Sequence, residues 1–174
     1  MNHGHNPIGN IIIFIILISF SLSPESFGDD NLRKNKVGLS AAIQKSQLDI
    51  TVPVWIGANN VILPSIYAIY SEDIAGEVGI GIGYRSNFNN KKAIPYAGFR
   101  IGALILMPKG GDSRTDLIAG PFFGGEYFIG DEFSAGVEAQ INVSKSQKNS
   151  FRFGNPDNIN INTATLVYVT FYFK

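Results

Sequence analysis

From Phe133 to Ser144, Phe133, Ala135, Val137, Ala139, Ile141 and Val143 alternate without a break with Ser134, Gly136, Glu138, Gln140, Asn142 and Ser144. Successive side chains of a strand point to opposite faces, so this pattern predicts one long strand with an apolar and a polar side. Strands of soluble domains run to about 5 to 6 residues, whereas a tilted strand crossing a bilayer needs about 9 to 11. This stretch has the second length. The same alternation closes the chain, where Val167, Val169, Phe171 and Phe173 occupy every second position.

Along the whole chain the period of two predicts eight strands, over 37–45, 48–57, 60–71, 74–86, 93–107, 114–129, 133–145 and 163–173. Turn residues fill the gaps at 58–60, 71–73, 87–92, 108–113 and 130–132, and a long polar stretch spans 146–162. No segment carries a helical period. An even number of strands joined by alternately short and long connections suits a barrel that spans a membrane. The expected fold is therefore all-β, an eight-stranded antiparallel up-and-down transmembrane β-barrel over residues 37–174.

The faces can be read strand by strand. On the fourth strand Ile74, Val78, Ile80, Ile82 and Tyr84 share one side, and Glu77, Gly79, Gly81, Gly83 and Arg85 the other. On the fifth, Ala97, Phe99, Ile101, Ala103, Ile105 and Met107 lie opposite Tyr96, Gly98, Arg100 and Gly102. Charges fall with glycines, and the interior of an eight-stranded barrel is only wide enough to be filled by side chains. A glycine beside a long charged chain thus reads as room made on the inside. A turn at 130–132 pairs Ile129 with Phe133, which sets Glu126 opposite Gly136 and Glu138 opposite Gly124. Two carboxylates on one inward face need a cation, and Arg100 on the neighbouring strand is the expected one. Glu77, Arg100, Glu126 and Glu138 are the expected interior ion-pair network, read either as a plug or as the lining of a narrow pore. Tyr84, Tyr127, Phe133 and Phe173 are expected on the outside at one level, near the end that holds both termini, because rings suit the boundary of lipid and water. Pro53, Pro64, Pro95 and Pro121 lie inside predicted strands and each removes a ladder donor.

Ile11 to Phe20 is apolar apart from Ser19, too short to cross a bilayer as a helix and of the right length for the core of a signal peptide. Ser26 and Gly28 place small residues before a cut at Asp29, which predicts a cleaved signal peptide over 1–28 and a short lead-in over 29–36. The n-region contains neither Lys nor Arg, which leaves an uncleaved anchor as the alternative.

The 14 basic residues balance the 14 acidic ones and form no stripe, so nucleic acid is not an expected partner. There is no cysteine, which excludes disulfides, thiolate metal sites and a lipidated cysteine. His3 and His5 precede the signal core, so the mature chain has no histidine to act as general base, and enzyme activity is not expected. Gly79-Ile80-Gly81-Ile82-Gly83 matches no nucleotide-loop spacing. The acidic pairs Glu72-Asp73 and Asp131-Glu132 read as solvated turns, so no metal and no cofactor are expected.

Gly120-Pro121-Phe122-Phe123-Gly124-Gly125-Glu126-Tyr127-Phe128, then Phe133-Ser134-Ala135-Gly136-Val137-Glu138 and the final alternating strand, resemble the small bacterial outer-membrane β-barrel proteins of the OmpX and OmpA membrane-domain type. The resemblance covers residues 37–173. It implies a bacterial outer-membrane location reached behind a Sec-type signal, contact with outer-membrane lipid and lipopolysaccharide, and a last strand read by the barrel-assembly machinery. That assembly signal maps onto Val167, Val169, Phe171 and Phe173, with Lys174 as one residue of departure. Members of this family share an architecture and differ in task, so the resemblance implies a place more firmly than an activity. The expected role is non-enzymatic, structural or surface-interacting, in a monomer. The polar and mildly basic 146–162 stretch, with Lys145, Lys148 and Arg152 in and beside it, is the candidate binding loop. The alternative is a soluble exported barrel resembling a lipocalin, whose apolar face turns inward around a small hydrophobic ligand. Glycine crowding on the polar side, at 79, 81, 83, 98, 102, 124 and 136, argues that the polar face is the inside.

Overall fold

The computed structural model describes residues 36–44, 47–71, 75–88 and 91–173. The signal-peptide reading, both histidines, Ile74 and Lys174 lie outside the described residues. The described residues form β1 (Val37–Gln44), β2 (Gln47–Thr51), β3 (Val54–Trp55), β4 (Asn60–Ser71), β5 (Ala75–Asn87), β6 (Ala93–Pro108), β7 (Arg114–Phe128), β8 (Phe133–Lys145) and β9 (Ile159–Phe173). All pairings are antiparallel, and β9 returns to β1 from Val37↔Phe173 to Ile43↔Val167, which closes the sheet into a barrel. β2 and β3 both pair with β1 and β4 and are two parts of one strand, broken at Val52 and Pro53. The closed barrel therefore has the eight staves expected from the alternation.

The break has a physical cause. A residue in an antiparallel strand sends its N–H and C=O to the same side, and the Pro64 carbonyl accepts from the Val52 amide at 2.9 Å. The donor that Pro64 lacks therefore faces the break between β2 and β3, and the ladder from β4 to β5 loses nothing. At the other difficult proline, the β7–β8 ladder skips Gly120 and Pro121 without changing register. A Cβ added at Gly120 would stand 1.8 Å from the Ile141 carbonyl oxygen, so that close crossing requires glycine.

Two expectations need correction. β9 begins at Ile159, four positions before the predicted start, because Asn160 and Asn162 pair with Ser144 and Asn142 and continue the alternation with polar residues. Long connections do not alternate with short ones. At the end away from the termini the gaps at 45–46, 72–74 and 109–113 hold two, three and five residues, against four, five and four at 56–59, 88–92 and 129–132. Adjacent strands reach similar heights, and a few residues then suffice to close each hairpin; only 146–158 is long.

The faces follow the sequence pattern. Ile80, Phe99 and Val137 point outward and are 53%, 51% and 59% exposed, while Trp55, Tyr96 and Tyr172 point inward at 1%. Tyr84, Tyr127, Phe133 and Phe173 all face out. The Tyr84 hydroxyl donates to Asn60 at the start of β4, and Lys92 lies 5.2 Å from the Tyr127 ring. A lipocalin-like arrangement is overturned by these faces, because the aliphatic stripe lies outside and the glycines and carboxylates lie inside.

Candidate functional site

The room left by the inward glycines is taken by aromatic rings rather than by charges. Directly across the ladders Tyr67 faces Gly79, Tyr96 faces Gly124, Phe122 faces Gly98 and Tyr168 faces Gly136. A Cβ on any of these glycines would stand 1.9 to 2.6 Å from atoms of the facing aromatic side chain. Each ring can therefore lean over a strand that has no side chain there, and three of the four are tyrosines whose hydroxyls reach charged groups.

Near the termini the lumen is solid. Glu126, with 1% of its surface exposed, is ion-paired with Arg85 and accepts hydrogen bonds from Ser134 at 2.5 Å and Tyr172 at 2.8 Å. Arg85 also donates to the Tyr168 hydroxyl at 3.4 Å and lies 4.6 Å from the centre of the Tyr96 ring. Trp55, Val61, Ile94 and Phe128 pack around the pair, with Phe128 and Tyr172 stacked 5.4 Å apart. A carboxylate that is both paired and hydrogen-bonded tolerates such burial. Among the described residues Trp55, Val61, Ile94, Glu126, Phe128 and Tyr172 of this layer are all buried.

The cation expected beside Glu126 was Arg100, and the geometry places Arg85 there instead. Arg85 is two residues from the end of β5 and pairs with Gly98, whereas Arg100 lies further from the termini, opposite Gly83. Neighbouring strands guided the expectation, but a lumen this narrow lets a side chain on β5 reach β7 across it. Arg100 does face inward, half-buried, and makes no ion pair or hydrogen bond among the described residues. Glu138 accepts instead from Tyr96 at 3.2 Å and Gln140 at 2.7 Å. Of the four charged residues, Arg100 and Glu138 therefore attract each other through space without a direct bond, while Glu126 and Glu77 are ion-paired with other arginines.

Glu77 belongs to the opposite end. It accepts from the Tyr67 hydroxyl and is ion-paired with Arg152 of the long connection, whose guanidinium sits 6.0 Å from the Tyr67 ring centre. Further anchors hold the same segment. Buried Asp116 accepts from the Ser150 hydroxyl at 2.6 Å and from the Gln147 amide at 2.9 Å. Asn149 and Asp157 turn the backbone in the left-handed region, where their residue types are favoured. The candidate binding loop is thus folded back onto the barrel mouth. Arg152→Ala is expected to speed protease cleavage within 147–158 while changing global stability by less than about 1 kcal/mol, as partly exposed ion pairs do. Limited proteolysis at unchanged cleavage rate would show that the pair does not hold the loop.

Val167, Val169, Phe171 and Phe173 form an outward row on β9, with the last two rings edge to face at 5.7 Å. Sequence reasoning missed the inward row on the same strand, Tyr168, Thr170 and Tyr172, which supplies two of the ring hydroxyls around the buried ion pair. Its signal was present as tyrosine at inward parity, facing glycine on the next strand. Among the described residues no group of His, Cys, Asp or Glu is arranged to hold a metal ion.

No family model and no curated protein sequence matches the chain. Solved structures do. The chain is similar to Neisserial surface protein A (NspA), with a TM-score of 0.53 and 15% identity over 79% of this chain and 94% of that one. It is also similar to the N-terminal β-barrel domain of Pseudomonas aeruginosa OprF, with a TM-score of 0.55 and 12% identity over 80% of this chain and 98% of that one. The chain has the fold of these small eight-stranded barrels.

Proposed function

We propose that this chain is an integral outer-membrane β-barrel protein of a bacterium, non-enzymatic, with a structural or surface-interaction role. The observation that carries the reading is the outer surface. Leu39, Ile66, Ile82, Ile101, Phe123 and Val169, from six different staves, stand between 44% and 53% exposed. Soluble monomers rarely expose contiguous apolar patches beyond a few hundred Å², whereas a membrane barrel needs an apolar band about 25 Å tall flanked by aromatic rings. Lipid is the solvent that suits this exterior. Barrel closure also satisfies the backbone within the sheet, as lipid demands.

The finer elements of the reading follow from the same placement. Residues 1–28 act as a Sec-type signal peptide, the β9 row of Val167, Val169, Phe171 and Phe173 is read by the barrel-assembly machinery, and the monomeric barrel contacts outer-membrane lipid and lipopolysaccharide. Lys148 remains at the mouth to meet anionic groups, since Arg152 turns inward to Glu77 and Lys145 is ion-paired with Asp157.

Fractionation of producing cells tests the proposal. The protein is expected to resist carbonate extraction, to dissolve in detergent, and to migrate differently before and after boiling. Intact mass should begin at Asp29. Recovery of a soluble periplasmic species, or identical mobility with and without heating, would count against the reading.

A further inference from the structure

Beyond the buried ion pair the lumen is hollow. A cavity of about 720 Å³ reaches from Arg85 and Tyr172 of that layer, past Leu63, Phe122 and Leu166, to the returning loop at Phe151 to Gly154. Ligand sites span about 300 to 1,000 Å³, so this space admits a small molecule. Interiors of eight-stranded barrels are ordinarily filled by side chains. Here the β5–β6 wall presents Gly81, Gly83 and Gly102 to the space. A Cβ at Gly83 would meet its nearest neighbours at 3.4 Å or more, so packing does not demand glycine there.

Arg100 borders this chamber. A guanidinium offers five donors in a planar fork, and those of Arg100 find no acceptor among the described residues, whereas Arg85 and Arg152 are ion-paired. Asp49 and Glu138 line the same chamber. Both attract the Arg100 guanidinium through space without taking its hydrogen bonds, so its donors stay open while its charge is shared, and no ligand with more than one negative charge suits it. We propose that the chamber binds a small amphiphilic monocarboxylate, its carboxylate forked by Arg100 and its apolar body laid against Leu63, Phe122 and Leu166. Fork-to-fork pairing of guanidinium and carboxylate supplies both strength and orientation.

This inference goes beyond the structural role proposed above and depends on the barrel's interior, not on its address in the cell. The test is a titration of the full mature chain in lipid nanodiscs with octanoate labelled with ¹³C at its carboxyl carbon, alongside octanamide and empty nanodiscs. Saturable octanoate binding at one site per barrel is expected, with octanamide at least about tenfold weaker and Arg100→Met weakened by at least about tenfold. Arg100→Lys should keep part of the affinity. Gly83→Leu, which fills the chamber from its wall, should abolish binding while Arg100 is intact, and it serves if Arg100→Met does not fold. Heat-shifted gel mobility of the same samples reports folding separately. Octanoate that partitions as it does into empty nanodiscs, or that binds folded Arg100→Met as well as wild type, overturns the proposal. A wild-type sample without the heat shift speaks against the membrane barrel instead.

Discussion

A chain ending at Thr163 is expected to remain unfolded and to be degraded in the cell. Removing residues 164–174 deletes every ladder pair between β9 and β1 and those between β9 and β8 from Gln140↔Ala164 to Phe133↔Phe171. Two long strand edges would then face lipid, where no water replaces the lost partners, and each unsatisfied backbone group costs several kcal/mol. The same cut removes Leu166, Tyr168 and Tyr172, which pack inside the barrel with Tyr96, Trp55 and Phe128. The loss is therefore both of closure and of filling. Immunoblots of fractionated cells should show no heat-shifted band and strongly reduced total protein for the truncation. A stable, membrane-inserted truncated chain would end the claim that β9 closes the barrel.

The strands were legible because burial and exposure alternate with the same period as the side chains. Once one face meets lipid and the other a crowded lumen, each residue's polarity reports its side, and register follows because a slip of one position would exchange the faces. The pairing of Glu126 with Gly136 and of Glu138 with Gly124, expected from the turn at 130–132, is the pairing found. Less legible was anything that crosses the lumen. Alternation says that Arg85, Arg100, Glu126 and Glu138 face inward, but not how far along the barrel axis each lies or which opposite wall it can touch. Adjacency in sequence order suggested Arg100 for Glu126, whereas height and reach select Arg85. The loop was illegible for a related reason. Its composition is that of a solvated segment, yet Ser150 and Arg152 find Asp116 and Glu77 on strands distant in sequence. The tyrosines carry the general lesson: an inward tyrosine facing glycine marks a ring that leans across the ladder and delivers its hydroxyl to a buried charge.

Arg85→Met is expected to destabilise the barrel by about 3 to 5 kcal/mol, the usual cost of removing one partner of a buried ion pair. Methionine keeps much of the bulk beneath Tyr96 and Trp55, so the loss reports mainly the charge left on Glu126. That carboxylate retains Ser134 and Tyr172 as donors but no cation, in a fully buried position. Adding Glu126→Gln removes the stranded charge while its amide oxygen still accepts from the two hydroxyls. The double variant is therefore expected to recover more than half of the loss, and the coupling between the two positions should be strongly favourable. Arg100→Met should cost less than Arg85→Met in the same assay, since its guanidinium makes no direct ion pair and attracts Glu138 and Asp49 only through space. Urea unfolding in lipid vesicles, followed by tryptophan fluorescence from Trp55, measures all three, because that ring lies 5.9 Å from the Arg85 guanidinium. The order of the two arginine variants decides the matter. If Arg100→Met proves the costlier change, the charge that stabilises the interior carboxylates sits on β6, and the assignment of the buried pair to β5 and β7 fails with it.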